Sequence, residues 1–306
     1  MFFGSPVWTI QFNPPFDEPI KKIAKLGLKG VELVGWDRDS LKEYYTPKTI
    51  GHIKTLISDL GLTLTNFNHS PKYLCSEDTE ERKAAEDGYK YAVETAQVLG
   101  SKFITSVAPY PFSAYNAVKQ LKLITHSEIW TVETDMNRDW DANYQLYVSQ
   151  ITKCCGLAKQ AGLKVLIEPH PYRWVNSASS MKLLQQYVKA DNLGFNLDPS
   201  HLFSSGDMPQ CTVYQLKDCL SHVHFSDNDT YTNAHWRPGK GKIDWHAVMK
   251  ALKDIGYDGV LSMELEDVPG AASKESPFGT DAIDREMKLA MKYIREVAVE
   301  VGAEIE

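Results

Sequence analysis

Short runs of aliphatic and aromatic residues alternate with longer amphipathic stretches along the whole chain. This alternation is typical of repeated βα units, whose strands join into a mostly parallel sheet. The pattern predicts eight such units, and the clearest helices are predicted over Thr79–Val98 and Asp141–Ala161. The eight predicted strands are Val7–Ile10, Gly30–Val34, Leu62–Phe67, Phe103–Val107, Lys164–Ile167, Leu193–Leu197, His222–Phe225 and Gly259–Met263.

Eight βα units favour a closed (β/α)₈ barrel, an α/β fold in which a single domain takes in residues 1–306. An open doubly wound sheet is the structural alternative. However, no G-x-G-x-x-G turn follows the first predicted strand, and polar residues end many strands instead of lining one crevice. The joints between helices and strands also favour the barrel, because a glycine in the left-handed backbone conformation can end a helix just before the next strand. Five joints carry such a glycine: Gly27, Gly61, Gly100, Gly162 and Gly256.

The longest segment without a clear element pattern is Pro109–Asp139, which follows the fourth predicted strand. In a barrel, the loops that follow strands lie over the active-site face. We therefore expect this segment to cover the mouth of the barrel, as a lid or as a contact to a partner chain. His126 lies within it and is available as an additional base.

Composition narrows the class of protein. A net charge of −7 argues against a nucleic-acid binder, which would present clustered Lys and Arg, and favours small-molecule chemistry. The five cysteines form no C-x-x-C pair, which favours reduced thiols and a cytoplasmic location. Nowhere do eighteen apolar residues follow one another, so we expect a soluble protein without a membrane segment.

Four polar residues stand at the ends of four separate predicted strands in the second half of the chain. They are Glu168, Asp198, His224 and Glu264. Strand ends of a barrel meet at its C-terminal mouth, so these side chains are predicted to form one metal site. Three carboxylates and one imidazole suit Mn²⁺, Mg²⁺ or Co²⁺ better than a thiolate-seeking metal, and Zn²⁺ remains an alternative.

Several segments around these residues resemble the sugar phosphate isomerase and epimerase superfamily of xylose-isomerase-like TIM barrels. The resemblance covers nearly the whole chain, and it implies that the four residues hold one divalent cation, with Mn²⁺ as the first expectation. The segments that carry it are Ile167–Pro171, Leu197–His201, His222–Asn228, Pro238–Asp244 and Met263–Glu266.

The resemblance implies proton abstraction beside the carbonyl of a keto-sugar. The cation would stabilise the developing enediolate, while Glu168 and Glu264 remove and return a proton on opposite faces. His201 follows Asp198 with the D-x-x-H spacing of the family, where the matching histidine contacts sugar oxygens.

Further side chains are expected to bind the substrate. His235 and Arg237 lie in the loop after the seventh strand and can reach into the mouth. His69 is similar to a metal ligand of the endonuclease branch of the superfamily, and here we expect it to donate a hydrogen bond. Trp36 ends the second strand, where its ring can pack against the C–H face of a sugar.

The resemblance also has departures, which leave alternatives open. Asn233 stands where the three-metal endonucleases carry an aspartate, and Val107–Pro109 ends the fourth strand without their histidine, which argues against a phosphodiesterase. Trp174 stands where ketose 3-epimerases carry a glutamate. A lyase or dehydratase that eliminates from a keto-sugar or a 3-oxo C-glycoside would use the same metal site. A non-catalytic sugar-binding subunit is a third possibility. Family members often form homo-oligomers, possibly with a second subunit, and residues 281–301 are a candidate contact helix.

Overall fold

Eight parallel strands close into a barrel in the computed structural model of this chain. The structure describes residues 1–112, 117–122, 128–132 and 137–306. The strands are β1 (Phe2–Pro6), β2 (Gly30–Val34), β3 (Thr63–Asn68), β4 (Phe103–Val107), β5 (Ala117–Lys122), β6 (Glu128–Val132), β7 (Lys164–Glu168), β8 (Leu193–Leu197), β9 (Leu220–Phe225) and β10 (Val260–Met263). Around the barrel they follow the order β1-β10-β9-β8-β7-β4-β3-β2, so the predicted (β/α)₈ fold is confirmed.

Helices connect successive barrel strands and cover them from outside. They are α1 (Asp17–Lys25), α2 (Arg38–Tyr44), α3 (Pro47–Asp59), α4 (Thr79–Leu99), α5 (Trp140–Gln160), α6 (Ala178–Val188), α7 (Pro199–Ser204), α8 (Pro209–Gln215), α9 (Trp245–Asp254) and α10 (Ala282–Val301). The two helices predicted most clearly match α4 and α5. None of the helices in the described ranges is long and apolar enough to cross a membrane.

The first strand was predicted in the wrong place. The strand is Phe2–Pro6, whereas Val7–Thr9 forms a single 3-10 turn. Gly4 explains the error: it gives the segment a low apparent strand propensity, yet the barrel requires it, because a Cβ there would lie 2.6 Å from Val260 Cγ2 on β10. The apolar residues of the 3-10 turn are buried over the barrel end instead of within the sheet.

The segment predicted to be a long loop contains an antiparallel pair, β5 and β6, which does not join the barrel. This corrects the expectation of an irregular segment. His126 and the rest of 123–127, together with 113–116 and 133–136, lie outside the described residues.

Packing explains why the pattern of the sequence leads to this barrel. All five residues of β2 and all five of β8 are buried, as expected for parallel strands that have helices on one face and the barrel interior on the other. The helices contribute one apolar face each. In α3, for example, Ile50, Ile53 and Ile57 recur at helical spacing and are buried.

The pairing register places the C-terminal strand ends at one level. Val107 of β4 pairs with Glu168 of β7, Leu197 of β8 with Val223 of β9, and His224 of β9 with Ser262 of β10. Residues at the ends of β7, β8, β9 and β10 are therefore neighbours around the mouth of the barrel.

Candidate metal centre

Four side chains from neighbouring strand ends meet at the mouth of the barrel. Glu168 is the last residue of β7, Asp198 directly follows β8, His224 lies in β9, and Glu264 directly follows β10. Each offers a ligand atom within 4.8 Å of the others, and all four residues are buried. The structure thus brings together the four residues that the sequence analysis selected, here called the quartet. Their role as metal ligands remains a prediction.

The quartet concentrates opposite charges away from water. His224 Nδ1 lies 2.5 Å from Glu168 Oε1 and 3.0 Å from Glu264 Oε2. Burial lowers the pKa of His224, but the surrounding carboxylates outweigh it and hold this pKa well above its usual value. Burial raises the pKa of Glu168 and of Glu264. A proton on Nδ1 therefore balances the carboxylates, and a divalent cation would occupy the same place with more charge.

Two oxygen atoms of the quartet fit a cation. Asp198 Oδ2 and Glu264 Oε2 are buried, and within the described ranges neither has a partner with hydrogen-bond geometry, although His224 Nδ1 lies 3.0 Å from Glu264 Oε2. Asp198 Oδ1 caps α7 by accepting from the backbone of Ser200 and His201, which leaves Oδ2 directed elsewhere. Buried carboxylate oxygens normally have a partner. An oxygen-rich set with one imidazole and two oxygens free to coordinate suits a hard or borderline divalent ion.

Glu32 supports the quartet from the opposite side of the barrel, and the sequence analysis missed it. It lies in β2 and is completely buried. His224 Nε2 lies 3.1 Å from Glu32 Oε2, so this nitrogen can donate to the carboxylate while Nδ1 faces the other three members of the quartet. A single glutamate inside the otherwise apolar run Gly30–Val34 was the signal that could have identified it.

The charge of Glu32 is held by its surroundings. Burial raises the pKa of Glu32, but its interactions with the neighbouring imidazoles of His222 and His224 and the hydrogen bonds from His224 and Ser262 outweigh burial and lower this pKa below its usual range. Asn66 Nδ2 and Asn68 Nδ2 each donate to Glu32 Oε2 at 3.0 Å. Because this buried carboxylate accepts several hydrogen bonds, it stays ionised and keeps its orientation.

Asn196 of β8 orients Glu168. Its Nδ2 donates to Glu168 Oε1 at 3.0 Å, and its Oδ1 lies 3.0 Å from His222 Nδ1. Burial lowers the pKa of His222 to about 4, so this ring is neutral and donates to Asn196. The quartet therefore rests on a layer of buried polar side chains from β2, β8 and β9.

His201 and His235, both predicted to bind substrate, face Asp198 from the cavity. Their Nε2 atoms lie 3.9 Å and 3.6 Å from Asp198 Oδ2. Burial lowers the pKa of His201 to about 3, whereas Asp198 overcomes burial at His235 and raises its pKa to about 10. His170, which the sequence analysis did not select, packs on His201 with ring centroids 3.5 Å apart. The three imidazoles form one wall of the site.

His69 and Trp36 also line the cavity, and their role in binding a substrate stays a prediction. His69 Nδ1 lies 2.7 Å from Gly35 O, while its Nε2 is buried without a hydrogen-bond partner in the described part of the chain. Trp36 donates from Nε1 to Phe12 O and stacks on the ring of Phe12. Trp8 Nε1 donates to Glu264 Oε1 at 3.0 Å.

Arg237 does not reach the cavity, contrary to the expectation from sequence. Its Nε lies 3.1 Å from Glu286 Oε2 on α10, and this ion pair holds it on the outer side of the loop. Arg173, in the loop after β7, lines the cavity instead. Tertiary contacts determine where loop residues lie, so the closeness of Arg237 to a motif in the sequence did not predict the position of its side chain.

The cavity above the quartet has a volume of about 380 Å³. Trp8, Val34, Trp36 and Val107 give it an apolar side, and imidazole, amide and hydroxyl groups give it a polar side. Such a surface suits a ligand with C–H faces and many hydroxyl groups. The polar side is formed by Asn68, His69, Ser70, His170, His201, Asn233 and His235.

The class of this protein is defined by a closed barrel that has a cavity at its C-terminal mouth, above a buried cluster of carboxylates and imidazoles. Residues 20–295 match the family described as xylose isomerase-like TIM barrel, and the chain belongs to that family. The resemblance inferred from the sequence motifs is confirmed.

Known relatives include enzymes that act on sugars and on inososes. The chain is 25% identical to D-psicose 3-epimerase of Ruminiclostridium cellulolyticum over 304 residues, which cover 95% of this chain and 94% of the relative. It is 22% identical to inosose dehydratase of Lacticaseibacillus casei over 280 residues, 86% of this chain and 85% of the relative. A solved structure of the IOLI protein with a bound zinc atom superposes with a TM-score of 0.69 at 20% identity, over 98% of both chains.

Proposed function

We propose that this protein is a divalent-metal-dependent isomerase or epimerase of a keto-sugar. The observation that carries the proposal is the quartet: three carboxylates and one imidazole, all buried, with two carboxylate oxygens that lack hydrogen bonds within the described residues. The epimerase relative and the zinc atom of the IOLI structure support it. Mn²⁺ is the first expectation for the cation, with Mg²⁺, Co²⁺ and Zn²⁺ as alternatives.

A cation held by Glu168, Asp198, His224 and Glu264 would supply positive charge to the carbonyl oxygen as an enediolate develops. The protein supplies the proton transfer. Trp8 orients Glu264 through Oε1, and Asn196 orients Glu168 through Oε1. Both carboxylates are thereby fixed in position to hold the cation and to accept a proton from the sugar carbon or return it.

The neighbouring imidazoles bind and orient the sugar in this proposal. His201 and His235 line the cavity, and their ring nitrogens can accept from or donate to hydroxyl groups of the sugar. The rings of Trp8 and Trp36 exclude water and pack against the C–H face of the sugar.

The first experiment is elemental analysis of the purified protein by inductively coupled plasma mass spectrometry. We expect one equivalent of divalent metal in the natural protein and its loss in Glu168→Gln and in Asp198→Asn. Glu266→Gln is the matched control, because Glu266 lines the same cavity but is not part of the quartet. Absence of metal even after incubation with excess Mn²⁺ would contradict the proposal and favour a non-catalytic sugar-binding subunit.

A lyase or dehydratase is the second candidate, and the similarity to inosose dehydratase favours it. Both reactions begin with the same proton abstraction and differ in whether a leaving group departs from the adjacent carbon. Incubation with keto-sugars in deuterium oxide separates them. An epimerase or isomerase returns sugar that carries solvent deuterium beside the carbonyl, whereas a lyase releases an unsaturated product with new ultraviolet absorbance.

A further inference from the structure

Tyr172 lies at the mouth of the cavity in a strained backbone conformation. Its φ is 65°, in the left-handed region that disfavours a residue with a Cβ, and its ring lines the cavity although the residue is 60% exposed. Among the described residues the ring has no aromatic partner and the hydroxyl has no hydrogen bond. The backbone N–H of Arg173 donates to His170 O and closes a turn around Tyr172. A positive φ at a residue with a Cβ is uncommon and is often found at functional positions.

The two residues after Tyr172 point in opposite directions. The Arg173 guanidinium lies 3.8 Å from the ring centroid of Tyr110, Nη1 donates to Ala108 O, and both Arg173 and Tyr110 line the cavity. Trp174 instead packs against Tyr144, with ring centroids 5.1 Å apart, and its backbone N–H donates to Pro109 O. Trp174 therefore anchors the loop and leaves the two preceding residues at the mouth.

The Trp174 indole is packed away from the cavity, so it takes no space at the mouth. The mouth thus presents an aromatic ring and a guanidinium stacked on a second ring. Such groups bind flat rings by stacking and by hydrogen bonds from the guanidinium.

The volume of the cavity allows a second ring. An engineered protein cavity of roughly 150 Å³ holds benzene, a single six-membered ring. The cavity here has about 380 Å³ and extends from the quartet to Tyr172. It therefore has space between the quartet and its mouth for more than one ring.

We propose that Tyr172, Arg173 and Tyr110 form a subsite for the second ring of a glycoside. The keto-sugar ring lies at the quartet, and an aglycone with a flat apolar face lies against Tyr172 at the mouth. This inference rests on the proposed function and specifies its substrate as a keto-glycoside instead of a free ketose.

The test compares the methyl and phenyl glycosides of one keto-hexose by isothermal titration calorimetry on the protein as purified. We expect the phenyl glycoside to bind about tenfold more tightly, the size of one good ring contact. Tyr172→Phe retains this ratio, whereas Tyr172→Ala brings it close to one. Tyr214→Ala is the control, since Tyr214 is also an exposed tyrosine but lies on α8 outside the lining of the cavity.

A stability measurement tests the strain independently. A protein with glycine at a given position is normally less stable than one with alanine there. At a positive φ the order reverses, because glycine has no Cβ. We expect Tyr172→Gly to melt at a higher temperature than Tyr172→Ala, and both variants to lose the preference for the phenyl glycoside.

The outcomes separate the two proposals. Equal binding of both glycosides, unaffected by Tyr172→Ala, overturns the subsite while the metal-dependent function stands. Binding of neither glycoside, together with a protein that retains no metal, overturns both.

Discussion

Replacing Glu32 by glutamine removes one negative charge from the barrel interior with almost no change in shape. Glu32 Oε2 accepts from Asn66 and Asn68 at 3.0 Å and from His224 Nε2 at 3.1 Å, whereas Oε1 accepts from Ser262. A glutamine that directs its amide nitrogen toward Ser262 keeps an oxygen for the other three donors, since a hydroxyl group can also accept. We therefore expect Glu32→Gln to fold and to change chiefly the charge beside His224.

The expected effect is a loss of metal affinity. A hydrogen bond to a charged group contributes about 1.5–3 kcal/mol to the stability of a protein, whereas a hydrogen bond between neutral groups contributes about 0.5–1.5 kcal/mol. Removing the partner of a metal-binding histidine typically lowers metal affinity by about 10–100-fold, which corresponds to about 1.4–2.7 kcal/mol. Glu32 is fully buried, so solvent does not screen its interaction with His224. We expect Glu32→Gln to bind Mn²⁺ about tenfold to a hundredfold more weakly.

The assay is isothermal titration of Mn²⁺ into metal-free protein, with thermal unfolding recorded for each variant. Glu286→Gln is the control, because it removes a carboxylate that pairs with Arg237 outside the quartet and should leave the affinity unchanged. A folded Glu32→Gln protein that binds Mn²⁺ as tightly as the natural protein would refute the argument that Glu32 orients His224.

Two further predictions concern turnover and stability. Glu264→Gln should abolish deuterium exchange into the keto-sugar, because Glu264 is proposed both to hold the cation and to carry a proton, and exchange that continues at the natural rate would contradict this role. Gly100→Ala should lower the stability by about 1–2 kcal/mol, because Gly100 ends α4 at a φ of 89°. Gly156→Ala, inside α5, should raise the stability by about 0.5–1 kcal/mol, because a Cβ added there has no neighbouring atom within 4 Å. Urea unfolding midpoints that shift in the same direction for both glycine variants would show the conformational argument to be wrong.

The hydrophobic pattern and the glycines at helix ends were sufficient to predict the barrel and to identify the four strand-end residues of the quartet. Alternating strands and helices close into a barrel whose strand ends share one mouth, so residues such as Glu168 and Asp198 meet although they are distant in sequence. The joint glycines were also predicted correctly, since Gly27, Gly61 and Gly100 all have positive φ values. Each of these inferences depends on local periodicity, which a sequence displays directly.

Other features depended on which residues the closed barrel brings together. Glu32 meets His224, 192 residues away, because strands of the barrel present side chains to a common interior, and no local pattern identifies such a partner. An ion pair with α10 keeps Arg237 from the cavity, and the anchoring of Trp174 brings Arg173 to it. The sequence by itself determined the fold and the four strand-end residues, because periodicity reports burial and strand ends. Only the tertiary structure decided their supporting partners and the cavity mouth, because these are set by barrel closure and by contacts between distant loops.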